Sequence, residues 1–168
     1  MKDLVEGSGI ERKILIIRGH RVMLDVHLAG LYRVGTKVLK RAVSRNRDRF
    51  PDDFMFRLTL EETRILRCQI GTLGRGQYSK YLPMVFTEQG VAMLSSVLRS
   101  KRAVQVNIAI MRAFVKLREM AGAHKDLARR LDKLERRYDS QFKAVFDAIR
   151  ALMAEEPPEA KRIGFEAG

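Results

Sequence analysis

Cysteine occurs once in the 168 residues, and the chain has no tryptophan and only four prolines. A single thiol excludes a disulfide within the chain and a metal site built from several thiolates. His20, His27 and His124 are the only histidines, and none stands in a spacing such as His-Glu-x-x-His that brings metal ligands together. We therefore expect no metal and no cofactor, and interpret Cys68 as a part-buried thiol in a helix.

Long apolar runs are also missing. No stretch approaches the roughly 20 apolar residues that cross a bilayer, and the apolar segment 14–17 is too short for a secretion signal. This pattern predicts a cytoplasmic protein without a membrane partner.

Catalytic patterns are equally scarce. No set of nucleophile, base and orienting residue is visible, and the glycines between Gly71 and Gly76 do not have the order of a phosphate-binding loop. The acidic pairs Asp52-Asp53 and Glu61-Glu62 are explained by a turn and a helix start. We do not expect an enzyme.

Positive charge is abundant. The chain has 33 Lys and Arg against 20 Asp and Glu, a net charge of +13, and residues 18–50 alone carry nine bases against two acids. Clustered bases displace condensed counterions from a phosphate backbone, whereas an evenly spread charge does not. The first expectation is a polyanion-binding face within residues 18–50.

Short apolar runs and helical periodicities alternate up to about residue 120, which predicts an α+β fold. Residues 14–17 and 22–24 are predicted to form a hairpin around Gly19. Residues 54–58 and 81–86 are predicted as further strands, with Pro83 favouring a sheet edge for the second. Helices are predicted to follow Thr59, Thr87 and Ser100, and the last of these is apolar on more than one side over 104–117, which is typical of a core helix.

Residues 25–47 predict two helices joined by a short turn. Asp25 is the expected N-cap of a helix over 26–32, and Thr36 that of a helix running to about Arg47. The bases of the second helix lie opposite its apolar stripe. A DNA-reading helix-turn-helix has this form, although a charged face is often only a solvated one, and phosphate contacts alone do not specify a sequence. The candidate DNA contacts are Lys37, Lys40, Arg41, Ser44, Arg45, Arg33, Arg18 and Arg21.

From His124 onward the apolar spacing becomes heptad-like, with alternating steps of four and three residues. No Gly or Pro occurs from 123 to 156, so one long helix is expected to project and pair with a copy of itself. The number and orientation of the paired helices stay open. The candidate self-association residues are Leu127, Leu131, Leu134, Tyr138, Val145 and Leu152.

These patterns divide the chain into four parts. Residues 1–12 are expected to be a flexible start, 13–121 a DNA-binding domain, 122–156 a coiled-coil helix, and 157–168 a disordered tail after Pro157 and Pro158.

Four runs of sequence resemble a known family. They are 17–25 (IRGHRVMLD), 28–37 (LAGLYRVGTK), 46–56 (NRDRFPDDFMF) and 86–98 (FTEQGVAMLSSVL), and residues 106–114 are also similar to it. The chain resembles the ORF-six-N domain family, which is related to the KilA-N and Bro-N domains of phage and large DNA virus proteins. The resemblance implies a DNA-binding α+β domain of a bacterial or phage-infected cell, without defined catalytic residues. Many members would have glycine at the position of Arg33.

Two functions remain in competition. The first is a regulator that binds double-stranded DNA as a homodimer or higher homo-oligomer. The second is an antirepressor-like module that captures a repressor or host protein through the coiled coil or the apolar helix after Ser100.

Overall fold

The computed structural model describes residues 7–70, 81–137, 143–154 and 161–164. The chain divides into two compact units: residues 1–114 together with 160–168, and residues 115–159. The fold is α+β, as predicted. The strands are β1 Ile14–Ile17, β2 His20–Leu24, β3 Met55–Arg57, β4 Met84–Thr87 and β5 Lys161–Arg162. The helices are α1 Gly7–Glu11, α2 Asp25–Tyr32, α3 Thr36–Arg45, α4 Leu60–Ile70, α5 Glu88–Val97, α6 Lys101–Arg137 and α7 Lys143–Met153.

The first unit is organised around one sheet with the strand order β3-β4-β2-β1-β5. Its first four strands pair antiparallel, and β5 pairs parallel to β1 at the edge. The hairpin predicted around Gly19 is confirmed, with Ile17 opposite His20. The edge position predicted for the strand after Pro83 is wrong, because β4 lies between β3 and β2. Pro83 precedes β4, where its missing N–H interrupts no ladder.

Both faces of the sheet are buried. Ile14, Met23, Phe86 and Met55 lie in register across four strands, and each is at most 1 % exposed. Alternate strand residues point to the opposite face, where Leu15 and Val85 belong to a core that includes Leu66 of α4. Helix α2 packs on the sheet beside β2 and β4, and α3 packs on α2 and α5.

Three predicted helix caps are confirmed. Thr59 and Glu62 form a capping box: the Glu62 amide donates to the Thr59 hydroxyl (3.1 Å), and the Thr59 amide donates to the Glu62 carboxylate (3.0 Å). The Thr87 hydroxyl accepts from the Gly90 amide, and the Ser100 hydroxyl accepts from the Ala103 amide. Each of these caps depends on residues three positions apart, so local sequence suffices to predict them.

The two ends of the first unit differ from expectation. Residues 7–11 form α1, and Ile10 is 1 % exposed, so the start of the chain is ordered earlier than predicted; residues 1–6 are outside the described residues. The expected disordered tail contains β5, and Ile163 is buried with its amide donating to the Ile16 carbonyl (3.0 Å). Backbone pairing to β1 and one buried apolar side chain therefore order residues 161–164.

Helix α6 begins within the first unit and is buried there on one side. Val106, Ile110 and Phe114 are at most 2 % exposed, and Arg102 donates to the Leu31 carbonyl (2.9 Å). On another side of the same helix, Val104 and Ile108 are 50 % and 47 % exposed. The prediction of a core helix is therefore right for one face only.

The second unit contains two helices where one was predicted. Helix α6 ends at Arg137 and α7 begins at Lys143. Arg150 of α7 contacts both Asp132 and Glu135 of α6. Residues 15 to 18 positions apart in one continuous helix would be about 25 Å from each other, so the chain turns back. The sequence carries no Gly or Pro to signal this turn.

Candidate nucleic-acid interface

The outward face of α3 is basic. Leu39 and Val43 are fully buried, and the side of the helix opposite to them exposes Lys37, Arg41 and Arg45. At 3.6 residues per turn, positions 37, 41 and 45 form one row along the helix. Ser44 and Val38, the latter 54 % exposed, flank this row on its two sides. Four of the predicted DNA contacts thus share one exposed surface, which we call the α3 face: Lys37, Arg41, Ser44 and Arg45.

The side chains of the α3 face are available to a ligand. Among the residues that the structure describes, none of these four has an ion-pair partner. Long basic side chains without a carboxylate partner can each reach a phosphate oxygen at little rearrangement cost.

Lys40 does not belong to this face. Its ammonium lies 3.2 Å from a carboxylate oxygen of Asp25 and donates to the Leu82 carbonyl at 3.1 Å, and its side chain is only 18 % exposed. The same ammonium stands 5.8 Å from the centre of the Tyr81 ring. Lys40 therefore ties α3 to the rest of the unit, although helical spacing alone had grouped it with the outward bases.

The buried carboxylate of Asp25 holds α3 in position through Lys40. This carboxylate is fully buried, accepts from the amides of Val26 (2.7 Å) and Met84 (3.0 Å), and faces Lys40. The expected N-cap role is wrong, since Asp25 is the first helical residue and Leu24 occupies the cap position. A buried carboxylate needs such donors to offset the loss of hydration, and here they come from β4, α2 and α3.

The turn between α2 and α3 is three residues long. Arg33 has φ 56° and ψ 44°, a left-handed conformation, and the amide of Val34 donates to the Ala29 carbonyl at 3.0 Å. Left-handed residues close many helix C-termini and are usually glycine. Gly35, not Thr36, is the N-cap of α3. Arg33 is exposed at the entrance to α3, so its charge lies in the segment that leads to the α3 face.

Arg18 and Arg21, the other two predicted contacts, lie in the sheet hairpin. Arg18 and Gly19 both have positive φ, which is typical of the tightest hairpin turns. The Arg18 guanidinium donates from Nε to Glu62 (2.9 Å), pairs with the other Glu62 oxygen at 2.5 Å, and lies 4.7 Å from the Phe56 ring. Arg21 is half-buried in β2. Arg18 thus joins the hairpin to the start of α4.

The Arg18–Glu62 pair shifts both pKa values. The hydrogen bond to Glu62 raises the pKa of Arg18. Burial raises the pKa of Glu62, but the hydrogen bonds from Arg18 and Thr59, with the Arg18 charge, outweigh burial and hold that pKa below its usual range. Both groups stay ionised at neutral pH, which favours a structural role for Arg18.

Two further bases follow α3. Arg47 and Arg49 stand in a single 3₁₀ turn, Arg47–Arg49, and both are exposed. Arg49 donates to the Ser96 hydroxyl (3.0 Å), and Arg47 lies 3.9 Å from Asp52. The charge count of residues 18–50 included them, but helical spacing could not place them because α3 ends at Arg45.

The other features that bear on function do not involve the α3 face. A cavity of about 370 Å³ is lined by Arg18, His20, Asp52, Asp53, Phe56 and Thr87. Within the described ranges, no three His, Cys, Asp or Glu side chains are grouped to hold a metal ion. Cys68 is exposed on α4 rather than part-buried as expected. None of the helices that the structure describes is both long and apolar enough to span a bilayer.

The fold and the α3 face define a small α+β domain in which the helix pair α2 and α3 presents a basic helix, α3. Residues 12–97 match the ORF6N domain, so the chain belongs to the ORF6N (ORF-six-N) domain family. This is a phage-type domain of the KilA-N and Bro-N kind. No curated protein and no solved structure is significantly similar to the chain. The matched range contains α2, α3 and α5, and ends before α6.

Proposed function

We propose that the protein is a DNA-binding regulator of phage or prophage type, with the α3 face as its contact to duplex DNA. The observation that supports this best is the row of Lys37, Arg41 and Arg45 on the exposed side of a helix whose other side is fixed in the core. A helix of this kind fits the major groove, and its lysine and arginine side chains contact the flanking phosphates.

The rigidity of α3 supports the same function. Asp25 and Lys40 hold α3 against α2, β4 and the segment before β4. A reading helix that is fixed before binding loses little conformational entropy on association. In this proposal Arg33 adds charge at the entrance to α3, whereas Arg18, which is engaged by Glu62, contributes to the fold.

Self-association through the second unit completes the proposal. Two copies would present two α3 faces to successive turns of one duplex, which raises affinity without any new type of contact.

The experiment is a salt titration of duplex binding by the full-length chain. We expect Lys37→Ala with Arg41→Ala to weaken binding to a mixed-sequence duplex and to reduce the slope of log Kobs against log salt by about 2 per copy. The matched control is Arg64→Ala with Arg67→Ala, which removes the same charge from the exposed side of α4. Equal effects of the two pairs would show that net charge, not the α3 face, governs binding.

A second candidate is an antirepressor-like module that binds a repressor or host protein. Val104 and Ile108, exposed on α6 beyond the buried stripe, favour it. Under this alternative, a co-expressed repressor would co-purify with the wild-type chain but not with Ile108→Lys. Duplex binding would also be indifferent to the Lys37 and Arg41 substitutions.

A further inference from the structure

The second unit is a helical hairpin in which an apolar side chain of each helix is buried. Leu131 of α6 and Phe146 of α7 are 7 % and 9 % exposed, and Arg150 pairs with Asp132 and Glu135 across the two helices. Helix α7 begins six residues after α6 ends, and its Arg150 reaches back to residues 132 and 135, so we take α7 to return along α6 in the antiparallel sense. Leu131, one of the predicted self-association residues, is therefore used within the chain, and Tyr138 lies outside the described residues.

Other apolar side chains of the same two helices are open. Their exposed fractions run from 38 % to 72 %. On α6 the open residues are seven positions apart, and on α7 they are spaced by four and three, so each helix carries one apolar stripe. We call the set the hairpin face: Leu127, Leu134, Val145, Ile149 and Leu152.

The two stripes lie on one side of the hairpin. At about 100° per residue, Leu127 and Leu134 are both rotated by about 40–60° from Leu131 in the same direction around α6. In the same sense, Ile149, Val145 and Leu152 are rotated by about 60–120° from Phe146 around α7. Antiparallel helices are related by a twofold axis normal to their common plane, so displacements of the same sense fall on the same side. The hairpin face is thus a continuous two-helix surface.

We infer that the hairpin face binds the same face of a second copy, so that two hairpins form a four-helix bundle. This inference rests on the self-association in the proposed function and specifies its architecture. An isologous contact of this kind needs an apolar, self-complementary surface without a strong charge of one sign. Residues 115–159 carry ten bases and nine acids, whereas residues 18–50 have a net charge of +7.

The size of the surface also fits a second copy. Five large side chains that are each at least 38 % exposed make a patch of several hundred Å², as large as the largest apolar patches that monomers usually carry. Two such patches with their polar rims reach the roughly 1,000 Å² expected of a specific interface. Helical hairpins paired through such faces give the geometry of four-helix bundles.

The first test is the molar mass of the full-length chain by light scattering. We expect twice the 19.3 kDa of one chain for the wild type, and a twofold lower mass for Val145→Glu with Leu152→Glu. The matched control is Ala144→Glu with Ala151→Glu, which adds the same charge to an exposed side of α7 about 100° around the helix from Val145 and Leu152 and should stay dimeric. Circular dichroism checks that helix content is retained in both.

The outcomes separate the inference from the proposed function. A monomeric wild type would overturn both self-association and the bundle, and would leave the salt titration of the α3 face standing. A dimer that resists the Val145 and Leu152 substitutions would overturn the hairpin face alone.

A second test separates paired hairpins from paired continuous helices. In a Cys68→Ser background, Glu135→Cys and Arg150→Cys are joined with a short bifunctional maleimide. We expect a link within one chain, because the Glu135 carboxylate and the Arg150 guanidinium are in contact. In one continuous helix these positions are about 22 Å apart, beyond the reach of the reagent, so links only between chains would overturn the inference.

Discussion

Arg33 has the left-handed backbone conformation that glycine adopts at the lowest cost. A side chain in this region costs about 1–2 kcal/mol, part of which is returned because arginine restricts the unfolded chain more than glycine does. We expect Arg33→Gly to raise the free energy of unfolding by about 0.5–1 kcal/mol. Arg33→Ala, which loses the same charge but keeps the strain, should give no such gain in urea denaturation; an equal gain would refute the strain argument.

His27 is expected to make stability depend on pH. Burial lowers its pKa, the charge of Lys13 lowers it further, and Asp25 opposes both. Its Nδ1 nitrogen is buried with no hydrogen-bond partner in the described part of the chain. The unfolded chain therefore binds a proton at His27 more readily than the folded protein.

Because the pKa is lower in the folded protein, the contribution of neutral His27 to the free energy of unfolding is fully present above the unfolded pKa of about 6.5. It falls as the pH drops toward the folded pKa, by up to about 1.4 kcal/mol per pH unit. We expect His27→Leu to flatten the profile of unfolding free energy between pH 7 and pH 5. A wild-type profile as flat as that of His27→Leu would contradict the assignment.

Two of the predicted DNA contacts have intramolecular partners that helical spacing does not indicate. Lys40 was grouped with the outward bases by helical spacing, but its partner is Asp25, and the Asp25 carboxylate accepts from Met84, 59 positions along the chain. Arg18 is likewise engaged by Glu62, 44 positions away. Periodicity predicts which side of a helix is apolar; it carries no information on contacts between distant segments.

At the scale of elements, α5 is packed directly against the turn that precedes β3. A Cβ added at Gly90 would come within 1.9 Å of the Phe54 carbonyl oxygen, which belongs to the backbone and cannot rotate away. The Phe54 oxygen also accepts from the Thr87 amide. Glycine at position 90 is therefore a condition for the approach of α5 to this turn.

Two alanine substitutions test this approach. We expect Gly90→Ala to destabilise the protein by on the order of 3 kcal/mol, because the turn or α5 must move. Gly30→Ala in α2 meets no atom within 4 Å and should stabilise by about 0.5–1 kcal/mol through helix propensity. Thermal unfolding of the two variants gives the comparison, and a neutral Gly90→Ala would refute the close approach.

Elements with local signals were predicted best. The hairpin of β1 and β2, the pair α2 and α3, and the capping box at Thr59 follow from turn residues, helical spacing and a four-residue motif. The turn between α6 and α7 was missed because no Gly or Pro announces it. The two-residue strand β5 was missed because pairing with β1, rather than its own composition, makes it a strand.

At the scale of the whole molecule, the first unit consists of two separate pieces of the chain, residues 1–114 and 160–168. Ile163 belongs to the same core as Leu15 and Val85. A chain that stops before β5 therefore lacks part of the sheet and part of that core.

We expect a chain that ends at Ala160 to be less stable than one that ends at Gly164 by about 2–4 kcal/mol, from the lost burial of Ile163 and the lost strand pairing. Chemical denaturation of the two truncated chains measures this difference directly. Equal stability would show that β5 contributes nothing to the fold. For the same reason, removal of everything after residue 121 would damage the first unit as well as the second.

The return of β5 to β1 also sets an order in time. On the ribosome, β1 and β2 emerge early, but the strand that covers the outer edge of β1 is made only after both helices of the second unit. Until then β1 presents unpaired backbone groups, a state in which sheet edges attract strands of other chains. The nascent protein thus passes through an interval with an open edge, which β5 closes.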